Sequence, residues 1–303
     1  MLDVLTYFLF FTFSYLLTRF HVLPKETSEV VNKIIIYVAL PALILVTIPK
    51  LSPSELPWQA FLVPWIILIT VLTLIFVFRR TLALSRVEAS LVVLLGAFGN
   101  TSFLGIPFVS ALIGSEGLPI AIVYDQMGSF LALSSLGVVL LAMIEGAKPD
   151  AKETIKKVIK FPPFISLCIA IAIPGELPSI IIPLLDHLAS LLLPLALISV
   201  ASQFTIVVKK QHVKIVSLTL TLKLLIGPLL ALGLCFIFSW RGVLASTLIL
   251  EAAMGPMISA GILAMASLPN RDQQNAVVAI LGWGLIISFA SVSMWNYVIK
   301  TIF

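Results

Sequence analysis

The chain has 303 residues, of which 60% are hydrophobic and only 11% charged, and its mean hydropathy is +1.15. An average soluble domain is about 25% charged, so this composition excludes a water-soluble fold and indicates a protein whose solvent is lipid. The net charge of +5 is spread over short segments between apolar runs. This distribution excludes the continuous basic face of a nucleic-acid-binding protein.

Ten apolar runs have the length of transmembrane helices, about 20 residues each, and they lack the alternation of a membrane β-barrel. The sequence therefore predicts an all-α integral membrane protein with ten transmembrane helices, here called spans 1 to 10. Their expected ranges are 2–20, 30–48, 58–78, 87–112, 118–144, 161–178, 180–207, 213–238, 242–267 and 273–299. A charged linker, residues 145–160, separates span 5 from span 6.

The distribution of basic residues predicts the orientation in the membrane. Fifteen of the 19 Lys and Arg residues lie in the segments that follow spans 1, 3, 5, 7 and 9. Segments rich in Lys and Arg stay in the cytoplasm, so these segments and the linker are expected inside and both termini outside. We expect a multi-pass protein of the cell inner (plasma) membrane.

Span 4 is interrupted at its centre by the stretch Gly99–Pro107. This stretch combines three consecutive polar residues with two glycines and a proline that lacks an N–H group. Lipid supplies no hydrogen bonds, so such a break is tolerated only where it is buried in protein or lines a wet cavity. We interpret the break as part of a binding site; an ordinary proline kink is the alternative.

A weak internal repeat connects this break with a second one. Leu40–Ile44 in span 2 resembles Leu193–Leu197 in span 7, and the same offset takes the first break onto Met254–Gly261 in span 9. Five is an odd number of helices, so the second repeat must enter the membrane from the opposite side to the first. We therefore predict two inverted five-helix repeats, residues 1–144 and 161–303. Broken spans 4 and 9 would then cross at the membrane centre, as in secondary transporters.

The second halves of both broken spans are expected to begin near the membrane centre, with Pro107 and Pro256 in their first turns. Their free N–H groups and positive helix ends would face one pocket that suits a carboxylate. The first halves end there in free carbonyls that suit Na⁺ or a protonated group. The expected substrate-binding residues are Asn100, Thr101, Gly105, Ile106, Pro107, Met254, Gly255, Pro256 and Ser259.

Three charged residues lie deep within spans: Asp125, Lys223 and Glu251. A lone charge at this depth costs about 2.5–3.5 kcal/mol or more, so such groups usually face a cavity or one another. We expect coupling or charge-balancing roles, with structural pairing as the alternative. Asp125 or Glu251 would carry a proton, while Lys223 would either bind a substrate carboxylate or neutralise one of the two acids.

No catalytic residue and no metal site are expected. Nucleophile elbows, zinc-protease helices, paired Asp-rich motifs and phosphate-binding loops are missing from the sequence. The three His and two Cys residues are scattered, which is unlike a zinc site.

Several of these stretches resemble the bacterial auxin efflux carrier family, within the bile/arsenite/riboflavin transporter superfamily. The first break and two following segments carry the resemblance most specifically, and two stretches of the second half carry it more loosely: Gly99–Pro107, Gly114–Leu118 and Tyr124–Gln126, then Leu222–Pro228 and Leu250–Pro256. The resemblance covers essentially the whole chain. The sequence departs from the family pattern at the second break, where Gly255-Pro256 stands in place of the usual two prolines.

The resemblance implies ten helices in two inverted halves, outward termini and an elevator-type motion against a scaffold. It also implies transport of small organic anions such as malate, malonate or indole-type acids. The long cytoplasmic loop of the plant members is absent, so auxin itself is not the favoured substrate.

We therefore expect a secondary active transporter of small organic anions, such as dicarboxylates or auxin-like acids, that is proton-linked and works by alternating access. Its expected partners are the anion and the lipid bilayer, with a homodimer left open and no cofactor beyond the coupling ion. The alternatives are a Na⁺-coupled carrier or cation/proton exchanger of the same architecture, or a non-transporting membrane sensor.

Overall fold

The computed structural model describes residues 2–24, 26–50, 57–145, 152, 159–173, 177–202, 209–268 and 270–303. Throughout these ranges the regular secondary structure is helical, and no β-strand is formed, which confirms the all-α class. Most of the predicted linker, residues 145–160, lies outside the described residues.

The structure contains α-helices interrupted by short π-helical segments. The α-helices are α1 (Leu2–Arg19), α2 (Thr27–Ile34), α3 (Leu40–Thr47), α4 (Trp58–Phe78), α5 (Arg86–Ala97), α6 (Ile106–Leu112), α7 (Leu118–Val123), α8 (Val138–Glu145), α9 (Pro162–Ala172), α10 (Ile182–Ser190), α11 (Leu192–Ser202), α12 (Val213–Thr221), α13 (Gly227–Ile237), α14 (Gly242–Ala252), α15 (Ile258–Ser267) and α16 (Arg271–Ile302). The π-helical segments are Ile35–Ala39, Thr101–Gly105, Tyr124–Phe130, Leu133–Gly137 and Leu222–Ile226.

Six helical segments among the described residues are long and apolar enough to cross a membrane: Glu29–Thr47, Trp58–Phe78, Ser115–Ile144, Ile182–Ser199, Lys210–Ile237 and Arg271–Ile302. They correspond to predicted spans 2, 3, 5, 7, 8 and 10. Spans 4 and 9 are each divided into two shorter helices, α5 with α6 and α14 with α15. The count of ten spans and the inverted repeat remain predictions.

The helices form two packed groups. In the first group, α1 and α2 pack on α11, and α3 packs on α9 and α10. In the second group, α4 and α12 pack on α5, α13 packs on α14, and α15 and α16 pack on each other. Stacked rings of Phe130 and Phe161, with centroids 4.0 Å apart, are one contact between the groups. Both broken spans belong to the second group.

Three of the segments predicted on one side of the membrane meet at one end of the molecule. The ammonium of Lys214 donates to the carbonyl of Leu82, which links the segments after spans 3 and 7. Lys209 and Asp272, 2.9 Å apart, link the segments after spans 7 and 9. Their common end agrees with the charge pattern, while the side of the membrane that they face remains a prediction.

The π-helical segment Leu222–Ile226 is held by side chains of α16. Pro228 lacks an N–H group, so the carbonyl of Leu224 has no donor four residues further on. Ser291 Oγ and Trp295 Nε1 donate to that carbonyl instead, at 3.2 and 3.0 Å. These two hydrogen bonds from α16 hold in place the π-helical segment that carries Lys223.

Replacing Trp295 by phenylalanine tests this support. The substitution removes one buried donor and leaves Ser291, so we expect a loss of about 1 kcal/mol in stability. Thermal unfolding of the detergent-purified protein measures the effect. Trp58→Phe is the matched control, because the side chain of Trp58 is 58% exposed; equal unfolding temperatures for both variants would contradict the assigned support.

Candidate functional site

The two breaks lie side by side and pair through their main chains. The N–H of Asn100 donates to the carbonyl of Gly255 at 2.8 Å, and the N–H of Met257 donates to the carbonyl of Phe98 at 3.0 Å. Gly99 and Pro256 thereby form an isolated antiparallel bridge. Backbone groups that leave the helices at both breaks are thus satisfied by each other, away from lipid.

The second halves of spans 4 and 9 were predicted to begin with Pro107 and Pro256 in their first turns, and the structure differs from this prediction in both spans. Pro107 does lie in the first turn of α6, but the π-helical segment Thr101–Gly105 precedes α6 without interruption. The carbonyl of Asn100 accepts from the N–H of Gly105 at 3.0 Å, so the second half of span 4 begins at Thr101. Pro256 lies ahead of α15, which begins at Ile258, and is therefore not in the first turn as expected.

Eight of the nine expected substrate-binding residues are buried, and one is exposed. Asn100 is 3% exposed, and Thr101 and Met254 are 0% exposed. Ser259, in the first turn of α15, is exposed. The remaining five are buried: Gly105, Ile106, Pro107, Gly255 and Pro256. The paired breaks are therefore closed, and the start of α15 is their accessible edge.

Asp125 holds the start of the second half of span 4. Its carboxylate is 1% exposed and accepts hydrogen bonds from Thr101 Oγ1, from Ser102 Oγ at 2.6 Å and from Gln126 Nε2. The start of a helix carries partial positive charge. A carboxylate of the protein thus already occupies this helix end.

Lys223 lies on the π-helical segment Leu222–Ile226 and its side chain reaches both breaks. Its side chain is 2% exposed, and its ammonium donates to the carbonyl of Ala252, the last residue of α14, at 2.6 Å. A Cβ atom at Gly99 would lie 3.1 Å from the Lys223 Nζ. The ammonium therefore caps the negative end of α14 and makes its hydrogen bond to a main-chain carbonyl.

Glu251 is the least satisfied of the three charged groups. It is 0% exposed, and neither carboxyl oxygen has a hydrogen-bond partner within the described parts of the chain. Its carboxyl group packs against Gly105, where an added Cβ would lie 2.7 Å from Glu251 Cδ. Asp125 and Lys223 both interact electrostatically with Glu251, so the structure brings the three predicted charges together.

Three residues at the site, Gly99, Ser102 and Gln126, are not among the substrate-binding or coupling residues expected from the sequence. Ser102 follows Thr101 and Gln126 follows Asp125, so adjacent polar residues were an available signal for both. Gly99 is needed because Lys223 Cε would lie 3.0 Å from a Cβ at this position. No sequence signal indicates that contact, because it joins two distant spans.

Comparison with known proteins shows the family of this chain. A family model described as "Membrane transport protein" matches residues 1–296. An uncharacterized transporter of Methanothermobacter thermautotrophicus is 29% identical over 290 residues, which are 94% of this chain and 93% of that protein. An uncharacterized transporter of Methanocaldococcus jannaschii is 26% identical over 245 residues, 78% of this chain and 79% of that protein. The chain therefore belongs to the membrane transport protein family, the auxin efflux carrier family that its motifs resemble.

Proposed function

We propose that the protein is a secondary active carrier that moves small organic anions by alternating access around the paired breaks of spans 4 and 9. The observation that carries this proposal is the main-chain pairing of the two breaks, at 2.8 and 3.0 Å, beside three buried charges. A broken helix pair inside a membrane protein offers polar backbone groups for a ligand. Membership of a transport family supports the same function.

The substrate carboxylate is assigned to the start of α15. The first N–H groups of a helix have no acceptor within that helix and favour an anion. Asp125 occupies the corresponding end of span 4, whereas no side chain of the described residues caps α15. The exposed hydroxyl of Ser259 lies in that first turn and adds a donor. Asn100, on the opposite break, has an amide nitrogen without a partner among the described residues and is a second candidate donor.

The coupling ion is a proton in this proposal. Carriers with broken helices bind Na⁺ at the carbonyl ends of half-helices. Here the ammonium of Lys223 bonds to the carbonyl of Ala252 at one such end. A lysine of the protein that already bonds to this carbonyl removes the need for a transported cation there, which supports proton coupling over the Na⁺-coupled alternative.

The membrane arrangement belongs to the same proposal. Ten spans in two inverted repeats would place both termini outside the plasma membrane, and the group of helices with the paired breaks would move against the other group. The packing of the helices into two groups, with Thr101–Gly105 in contact with α11 of the other group, supports this elevator-type motion.

Uptake into proteoliposomes tests the function. Radiolabelled malonate, malate and indole-3-acetate are offered with and without an inward proton gradient and with and without Na⁺. We expect accumulation of at least one anion that depends on the proton gradient and not on Na⁺. Na⁺/H⁺ exchange without any anion flux would replace the proposal with the exchanger alternative, and absence of all flux would favour a sensor.

A further inference from the structure

The two buried carboxyl groups at the paired breaks have opposite hydrogen-bonding environments. Asp125 accepts from three side chains, those of Thr101, Ser102 and Gln126. Glu251 accepts from none of the described residues, although it is completely buried. One carboxylate is therefore satisfied where it lies, and the other is not.

A carboxylate without donors is costly in a dry interior, whereas a neutral carboxylic acid needs far less solvation. Among the residues that the structure describes, three titratable groups interact electrostatically with Glu251: Tyr124, Asp125 and Lys223. The negative charge of Asp125 opposes a second negative charge beside it. Lys223 attracts one, but its ammonium is directed at the carbonyl of Ala252. A bound proton is the ligand that best satisfies Glu251 in this closed structure.

We propose that Glu251 is the group that binds and releases the coupled proton, and that Asp125 is a fixed carboxylate that positions the second half of span 4. This assignment rests on the proposed carrier function. On release, the O–H bond of the Glu251 carboxylic acid breaks, the electron pair stays on the carboxylate and the proton passes to water on the open side. On binding, the reverse step occurs from water on the other side.

The contact between Glu251 and Gly105 connects this proton to the packing of the paired breaks. The carboxyl group fills the space that a side chain would take at Gly105, so it packs directly on the second half of span 4. An ionised Glu251 needs donors or water that this packing does not provide. Ionisation therefore favours a conformation in which span 4 and span 9 separate and the site opens, while protonation allows closure.

Glu251→Gln and Asp125→Asn test the assignment, because each removes a titratable group and nearly preserves its shape. Infrared difference spectra of the purified protein across a pH titration detect the C=O band of a protonated carboxylic acid. We expect this band in the wild-type protein and in D125N, and its loss in E251Q. Absence of the band from the wild-type protein, or its loss in D125N but not in E251Q, would overturn the proposal.

Uptake gives a second readout in the same variants. Residual anion uptake by E251Q is expected to lose its response to the proton gradient, while uptake by D125N falls but keeps that response. A gradient response in E251Q equal to that of the wild-type protein would refute the assignment. The infrared measurement needs no transported anion, so failure of the carrier function and failure of the proton assignment give different results.

Glu251→Met is a second test variant, to be used in case the Glu251→Gln protein does not fold. A site without donors suits an apolar side chain of similar length, since replacing a buried charge by a hydrophobic group is often neutral or stabilising. We expect E251M to unfold at or above the temperature of the wild-type protein and to lack the infrared band. A strongly destabilised E251M would show that Glu251 has donors after all and would contradict its role.

Discussion

Replacing Gly105 by alanine is expected to abolish transport and to destabilise the protein. The added Cβ would lie 2.7 Å from both Cδ and Oε1 of Glu251, which is closer than carbon and oxygen atoms pack. The carboxyl group is enclosed on all sides, so the two broken spans must move apart. Overpacking of this kind costs about 1–3 kcal/mol. Initial rates of anion uptake and thermal unfolding of the purified variant measure the two effects.

Gly233→Ala is the matched control for this prediction. Gly233 lies within α13, and an added Cβ there meets nothing within 4 Å. Its replacement should leave uptake unchanged and raise stability slightly, because alanine is a better helix former than glycine by about 1 kcal/mol. The double variant with Gly105→Ala and Glu251→Ala should recover the unfolding temperature but not transport. A single G105A variant with wild-type uptake would contradict the close contact.

Replacing Lys223 by methionine is expected to reduce anion uptake at least about tenfold. The variant leaves the buried carbonyl of Ala252 without its 2.6 Å donor and removes the ammonium group that interacts with Glu251. A hydrogen bond to a charged group contributes about 1.5–3 kcal/mol, and each 1.4 kcal/mol is about a tenfold change in an equilibrium constant. Uptake rates and thermal unfolding, measured in parallel, report the loss.

Lys214→Met is the control for Lys223→Met. Lys214 is on the neighbouring helix α12, and its ammonium also donates to a main-chain carbonyl, that of Leu82. Its side chain is exposed, so a change within about 0.5 kcal/mol is expected. Equal effects of the two substitutions would show that burial and the interaction with Glu251 are irrelevant to the role of Lys223.

The prediction for Lys223 follows from one physical feature: the helix ends at the breaks lie beside different groups. Asp125 neutralises the positive end of the second half of span 4, and Lys223 neutralises the negative end of α14. Within the described ranges no side chain caps the start of α15, which is why we propose it as the end available to a substrate anion. An arrangement of four equivalent helix ends would offer no such choice.

The positions of the breaks were predictable from the sequence. Gly, Pro and three successive polar residues cannot continue a helix in lipid without support. The stretch Gly99–Pro107 was therefore recognisable as a break within an apolar run. The internal repeat then selected Met254–Gly261, and the structure pairs these two stretches. The position of Asp125, Lys223 and Glu251 deep within their spans was also predictable, from the number of residues that separate each of them from the nearest loop.

The contacts at the breaks were not predictable, because periodicity gives the depth of a residue and not its rotation about the helix axis. π-helical segments change that rotation, and Asp125 and Lys223 both lie on such segments. The expected partner of Lys223 was a carboxylate or the substrate, but its hydrogen bond goes to Ala252. The support of Leu224 by Trp295 likewise joins residues far apart in the sequence.

Thiol labelling of Ser259→Cys tests most directly whether the substrate anion binds at the paired breaks. The variant is made in a background without Cys168 and Cys235, and the rate of its reaction with a methanethiosulfonate reagent is measured with and without the transported anion. Ser239→Cys, at an exposed position between α13 and α14, is the control. We predict that the anion slows labelling at position 259 and leaves position 239 unaffected. Equal labelling rates at position 259 with and without an anion that the variant still transports would contradict the account.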